Sequence, residues 1–126
     1  GYIAITDNKI KDKGTITSYL KENKQGFVYS SKKEDGKYAI THYEVIKRSN
    51  KYSILQIYID TGRRNQIRVH LSENNHPIIG DKKYKSNDNT IKRLALHANI
   101  LEFTHPIIKK DILIKTNIPK EFNNLI

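Results

Sequence analysis

Between Tyr52 and Asp60 the side chains alternate strictly, and both alternate sets are largely apolar. Leu55, Ile57 and Ile59 point one way, and Tyr52, Ile54, Gln56 and Tyr58 point the other. Successive side chains of a strand leave opposite sides of its sheet, so a strand at the surface shows one polar face. A strand apolar on both faces is covered on both, which predicts a central position for this segment. Tyr38–Lys47, rich in β-branched and aromatic residues, precedes it across Arg48-Ser49-Asn50-Lys51 and is expected to form its hairpin partner.

The rest of the chain reads around that strand. Tyr2–Ile5, Thr15–Leu20, Phe27–Ser30, Leu94–Phe103 and Ile112–Thr116 are expected to be extended, and Asp35-Gly36 is a strong hairpin signal. After Thr61-Gly62, residues Arg63–Asn74 carry Ile67 and Leu71 four apart, which predicts a helix with one buried side. Asn74-Asn75-His76-Pro77 ends it, because the residue before a proline resists helical geometry. Ile78-Ile79-Gly80-Asp81 reads as a turn and 82–92 as a polar surface loop. Pro106 separates the last two strands, and Pro119 precedes a short terminal segment. The expected fold is one α+β unit with a mixed, mainly antiparallel sheet and a few helices.

A length of 126 residues supports a single core without staples. The chain has no cysteine, which excludes disulfides and thiolate metal sites and fits a reducing, cytoplasmic compartment. No apolar run has the length of a membrane span, and no signal peptide opens the sequence. The formal charge of +10 favours a polyanionic partner, either nucleic acid or an acidic membrane. The basic residues are scattered along strands and loops, and no amphipathic helix with bulky anchors gathers them, which disfavours the membrane. The chain lacks methionine and opens directly on Tyr2-Ile3-Ala4-Ile5, so it is expected to be a processed chain or a fragment.

Chemistry concentrates in Thr61-Gly62-Arg63-Arg64-Asn65-Gln66-Ile67-Arg68-Val69-His70. A glycine permits a sharp exit from a strand, and the first turn of a helix presents unpaired N–H groups and a positive dipole end. Arg63, Arg64 and Arg68 lie on or beside that turn, with Arg64 and Arg68 spaced to share a face. Such a cluster suits a phosphate or a buried carboxylate; it equally describes a solvated arginine face. Arg63, Arg64 and Gln66 are the candidate nucleic-acid-binding residues, with Gln66 placed either to read a base edge or to sit in water. His70 is expected to be structural, and His42, His70, His97 and His105 show no ligand spacing, so no metal is expected. Asp60 and Asp81 are the acids weighed as a nucleophile, and neither is favoured; Asp81, in a Gly-Asp turn, is expected to cap the backbone.

Thr61-Gly62-Arg63-x-x-Gln66-Ile67-Arg68-Val69-His70-Leu71 resembles the signature of RluA-type pseudouridine synthases. Three further blocks are similar to that family in the same order: Thr41-His42-Tyr43-x-Val45, His76-Pro77-Ile78-Ile79-Gly80-Asp81-x-x-Tyr84, and Arg93-Leu94-Ala95-Leu96-His97-Ala98 with Leu101-x-Phe103-x-His105-Pro106. The resemblance implies a partial pseudouridine synthase catalytic fold, with residues 1–126 as the C-terminal portion of the catalytic domain. It implies isomerisation of uridine to pseudouridine in structured RNA, ribosomal or transfer, without metal or organic cofactor. It implies two catalytic residues here: Arg68, as partner of the catalytic aspartate, and Tyr2 of Tyr2-Ile3-Ala4, as the ring that stacks on the target base and is implicated in removing its C5 proton. The family's nucleophilic aspartate sits in a His-Arg-Leu-Asp block upstream of that tyrosine, and no such block occurs here. The chain alone is therefore expected to be inactive and to self-associate through any surface left uncovered. Many members carry Ser or Thr then His where this chain has Arg64-Asn65; asparagine is a competent helix cap, and the target RNA stays open. The alternative is a non-catalytic basic RNA-binding module.

Overall fold

The computed structural model describes residues 1–88, 90, 91, 93–104 and 107–125, without the side chains of 103 and 104. The expected break at Pro106 and the placement of His105 lie outside the described residues. Six strands form one sheet in the order β3-β2-β4-β5-β1-β6, from β1 (Tyr2–Asp7), β2 (Lys13–Glu22), β3 (Val28–Ser31), β4 (Lys37–Arg48), β5 (Tyr52–Ile59) and β6 (Leu96–Ala98). Two more strands, β7 (Ile100–Thr104) and β8 (Asp111–Lys115), pair with each other. Two helices complete the described elements, α1 (Gln66–Glu73) and α2 (Lys120–Asn123). Every described strand pairing is antiparallel.

The two-sided apolar strand lies where its pattern puts it, in the middle of the sheet between β4 and β1. Ile54, Leu55 and Ile57 have no exposed surface, although they point to opposite faces. Around them Ile3, Ile5, Ile67, Leu71, Ile78 and Phe122 complete the main core. A smaller cluster of Leu20, Val28, Ala39, Val69 and Tyr84 fastens α1 to the β2–β4 end of the sheet.

Connectivity departs from the sequence reading at Asp35-Gly36. The dipeptide closes a turn, with both N–H groups donating to Lys32 O, yet β3 and β4 lie on opposite sides of β2. The hairpin partner of β3 is β2, joined through a turn in which Asn23 Oδ1 accepts from the N–H groups of Gln25 and Phe27. The chain then crosses over β2 so closely that a Cβ on Gly36 would stand 2.7 Å from the Tyr19 carbonyl carbon.

The segment after α1 is tied into the sheet by three backbone hydrogen bonds. Ile79 N donates to Ile5 O, Ile5 N to Ala95 O and Ala95 N to Ile79 O, at 2.9, 3.1 and 3.0 Å. Gly80 makes this possible: it sits at φ 82, and a Cβ there would lie 2.0 Å from Arg93 O. The expected strand Leu94–Phe103 is divided at Asn99 into β6 and β7. The β7–β8 pair leaves Leu101, Leu113 and Ile114 about half exposed. No described helix is long and apolar enough to cross a membrane.

Candidate active site

The turn from β5 into α1 is built on Gln66. Its Oε1 accepts from Thr61 Oγ1 at 2.6 Å and from Arg63 N at 3.2 Å. Its Nε2 donates to Ile40 O and Thr41 Oγ1, both at 2.9 Å. The side chain is 2% exposed and all of its hydrogen-bonding capacity is used, so the expectation that Gln66 contacts RNA is corrected: it joins α1 to β4.

The helix starts at Gln66 rather than Arg63, because Asn65 takes a left-handed conformation at φ 55. Asn65 makes no side-chain cap; its Nδ2 donates to Tyr84 Oη at 3.2 Å. Gly62 has no positive φ and a Cβ there would touch nothing, so the conformational demand of the turn falls on Asn65. Arg64 therefore precedes the helix and does not share a face with Arg68. It pairs with Glu22 at 3.1 Å and stays largely exposed, while Arg63 Nε donates to Tyr38 O at 2.9 Å. These two arginines line a recess against β2 and β3.

Arg68 faces the other way, toward the segment after the helix. Its Nε donates to Asp81 Oδ2 at 3.0 Å and its Nη2 to Asp81 Oδ1 at 2.8 Å. The Asp81 side chain is fully buried, and that of Arg68 is 23% exposed. The guanidinium lies 5.0 Å from the centre of the Tyr84 ring. Among the described residues its Nη1 makes one long contact, 3.5 Å, to Asn65 Oδ1. Hydrogen bonding to Asp81, ahead of the opposing effect of burial, holds the Arg68 pKa above its ordinary value. Asp81 also accepts from Tyr84 N at 3.3 Å, so it does cap its turn, and it is the carboxylate that the helix arginine grips. Lys82, Lys83 and Arg93 join Arg68 around a cleft of about 630 Å³. Sequence reading passed over these three cations; their one signal was their place in or beside the Gly80-Asp81 and Arg93-Leu94 blocks.

Tyr2 occupies β1 beside Ile57 of β5 and Ala98 of β6. Half-buried, it lines a separate cleft of about 600 Å³ with Tyr58, Ile59, Ala98 and the start of β7. The clefts of Arg68 and Tyr2 have no lining residue in common. One is cationic and suits an anion; the other is aromatic and apolar and suits a flat base.

His70 is a structural residue. It is 1% exposed, with Nδ1 2.7 Å from Thr41 Oγ1 and Nε2 2.9 Å from Ser18 Oγ. Burial lowers its pKa, outweighing the attraction of Glu73. A neutral imidazole, one donor and one acceptor, satisfies both hydroxyls. Asp60 is exposed and bonded to His42 Nε2 at 2.7 Å. Among the described residues no cluster of three or more His, Asp or Glu side chains stands close enough to hold a metal ion.

A family model for RNA pseudouridylate synthase matches residues 1–73. The uncharacterized RNA pseudouridine synthase YhcT of Bacillus subtilis is 34% identical over 127 residues, covering 98% of this chain and 42% of its own length. Ribosomal large subunit pseudouridine synthase D of Xylella fastidiosa is 30% identical over 139 residues, covering 99% of this chain and 42% of that protein. The chain thus spans under half the length of these curated relatives. The solved structure of human RNA pseudouridylate synthase domain containing 1 superposes with a TM-score of 0.78 at 24% identity, over 92% of this chain and 53% of that one; it shows the shared fold.

Proposed function

Because the chain belongs to the RNA pseudouridylate synthase family, we propose that the whole protein isomerises uridine to pseudouridine in RNA, with these residues as the C-terminal portion of its catalytic domain. The two nucleosides are isomers: the N1–C1′ bond breaks, a C5–C1′ bond forms, one proton leaves C5 and N1 gains one. Atoms and electrons balance within the substrate, so the reaction needs no redox partner or transferred group. The proposed substrate is structured RNA, ribosomal or transfer, in a cytoplasmic setting that the absence of cysteine supports.

The observation that carries this reading is the Arg68 guanidinium. Two of its N–H groups are spent on Asp81 and its Cζ lies 5.0 Å from the centre of the Tyr84 ring, while among the described residues Nη1 makes only the long contact to Asn65. A guanidinium has five N–H donors in a rigid fork, so a second carboxylate fits the free edge. In the proposed site that carboxylate is the nucleophilic aspartate, which the adjacent cation keeps ionised. Tyr2 is the proposed wall for the flipped base, and Arg63 and Arg64 are proposed phosphate contacts. The chain contains no His-Arg-Leu-Asp block, so pseudouridine formation is assigned to the whole protein and not to this chain alone.

The test is pseudouridine formation on total ribosomal and transfer RNA. The whole protein is expected to turn over. Arg68→Lys is expected to lower kcat by tenfold or more with little change in RNA affinity, because an ammonium cannot serve two carboxylates in one plane. Turnover by the isolated chain would overturn the assignment of the nucleophile elsewhere.

A further inference from the structure

Tyr58 stands where two recesses meet. Its ring is about half exposed and lines the Tyr2 cleft; it also lines a groove of about 490 Å³ on the sheet itself. The floor of that groove is two cross-strand rows of β2, β4 and β5: Lys13, Glu44 and Gln56 in one, Thr15, His42 and Tyr58 in the other. His42 is held at both nitrogens, with Thr15 Oγ1 2.9 Å from Nδ1 and Asp60 Oδ2 2.7 Å from Nε2. The imidazole is thereby fixed in orientation while its side chain remains 41% exposed.

We infer that RNA flanking the target uridine runs out of the Tyr2 cleft over Tyr58 and into this groove, one base stacking on Tyr58 and the next on His42. The inference rests on the proposed function and adds the path that neighbouring nucleotides take. Directly opposed side chains on paired strands stand about 5 Å apart, so the two rings form adjacent platforms for single-stranded bases. Lys13 at the far end offers a cation to the phosphate chain. Glu44, exposed on the floor, offers an acceptor to a ribose 2′-hydroxyl, which DNA lacks. The groove combines two tyrosines, an imidazole, a hydroxyl and a lysine, groups that serve base stacking and phosphate contact, and the net charge of +10 favours a polyanion.

The experiment titrates the full chain into fluorescein-labelled single-stranded octauridylate, read by anisotropy at several salt concentrations. Tyr58→Ala and His42→Ala are each expected to weaken binding about fivefold or more, without changing the salt dependence. Tyr58→Phe, which keeps the ring, is expected to bind within about twofold of the unsubstituted chain. Lys13→Ala is expected to reduce the slope of log affinity against log salt by about one, and the deoxy oligomer to bind more weakly than the ribo oligomer. Unchanged affinity in both Tyr58→Ala and His42→Ala overturns the path, as does a failure of the chain to bind the oligomer at any salt. Loss of concentration-dependent self-association in these variants, with RNA affinity intact, makes the face a protein interface and overturns it as well. The proposed function is judged separately, on pseudouridine formation by the whole protein, so either can fail without the other.

Discussion

Arg68 and Asp81 meet edge to edge, Nε to Oδ2 at 3.0 Å and Nη2 to Oδ1 at 2.8 Å, and the carboxylate has no exposed side-chain surface. Removing one partner of such a pair strands the other without compensation, whereas removing both relieves two desolvation costs together. Asp81→Asn is expected to destabilise the chain by about 3 kcal/mol, the lower end of the range for broken buried pairs, because Arg68 keeps some solvent contact. The double variant Arg68→Met with Asp81→Leu is expected to cost well under the sum of its single substitutions. Urea denaturation of the four proteins measures the coupling, and additive costs would show that the pair does not hold the turn to the helix.

The stability of the chain should depend on pH through His70. Burial lowers the pKa of this imidazole in the folded state, so the unfolded state binds the extra proton first. The contribution of His70 to stability is complete above the unfolded value of about 6.5 and is lost as the pH falls from there through the folded value. His70→Gln is expected to flatten the fall in urea midpoint between about pH 7 and pH 5. The difference between variant and unsubstituted chain isolates His70 from the exposed His42–Asp60 pair and the half-buried His76–Asp7 pair. An identical pH profile in the two proteins would refute the assignment.

Two glycines of the site region should respond in opposite ways. At Gly80 an added Cβ meets the Arg93 carbonyl oxygen at 2.0 Å, on a backbone at φ 82. Gly80→Ala is expected to cost about 2 kcal/mol or more, from left-handed strain plus that clash. At Gly62 the Cβ meets nothing within 4 Å, and Gly62→Ala is expected to change stability by no more than about 0.5 kcal/mol. Thermal unfolding of the two variants provides the comparison.

Arg63 and Arg64 are exposed, while Gln66 is buried, so their variants should separate binding from folding. Replacing both arginines with alanine is expected to weaken RNA binding and lower its salt slope by about one to two, with stability nearly unchanged. Gln66→Ala is expected to cost about 1–3 kcal/mol of stability, because it removes the hydrogen bonds that a buried amide makes to Thr61 Oγ1, Arg63 N, Ile40 O and Thr41 Oγ1. RNA affinity of the folded Gln66→Ala protein should match the unsubstituted chain, and a selective loss of affinity would restore a binding role to Gln66.

The sequence alone determined those features that a short stretch of chain encodes by itself. Alternation in Tyr52–Ile59 pointed to a central β5, which is buried on both faces from Tyr52 to Leu55 and open on one face at Tyr58. Ile67 and Leu71 settled the inward side of α1, and four collinear blocks carried the family resemblance. Tertiary structure decided what depends on which distant group arrives. The Asp35-Gly36 signal specified a turn; the strand that would lie alongside was chosen by the Asn23 turn and by the close crossing at Gly36. The spacing of Arg64 and Arg68 predicted a shared face, but the left-handed Asn65 rotated one toward Glu22 and left the other facing Asp81. Gln66 looked polar and therefore outward until Ile40 and Thr41 of β4 came within reach of its amide. Period and turn chemistry are local properties of the backbone, whereas the partner of a buried polar group is fixed only when packing brings remote segments together and burial makes an unpaired group costly.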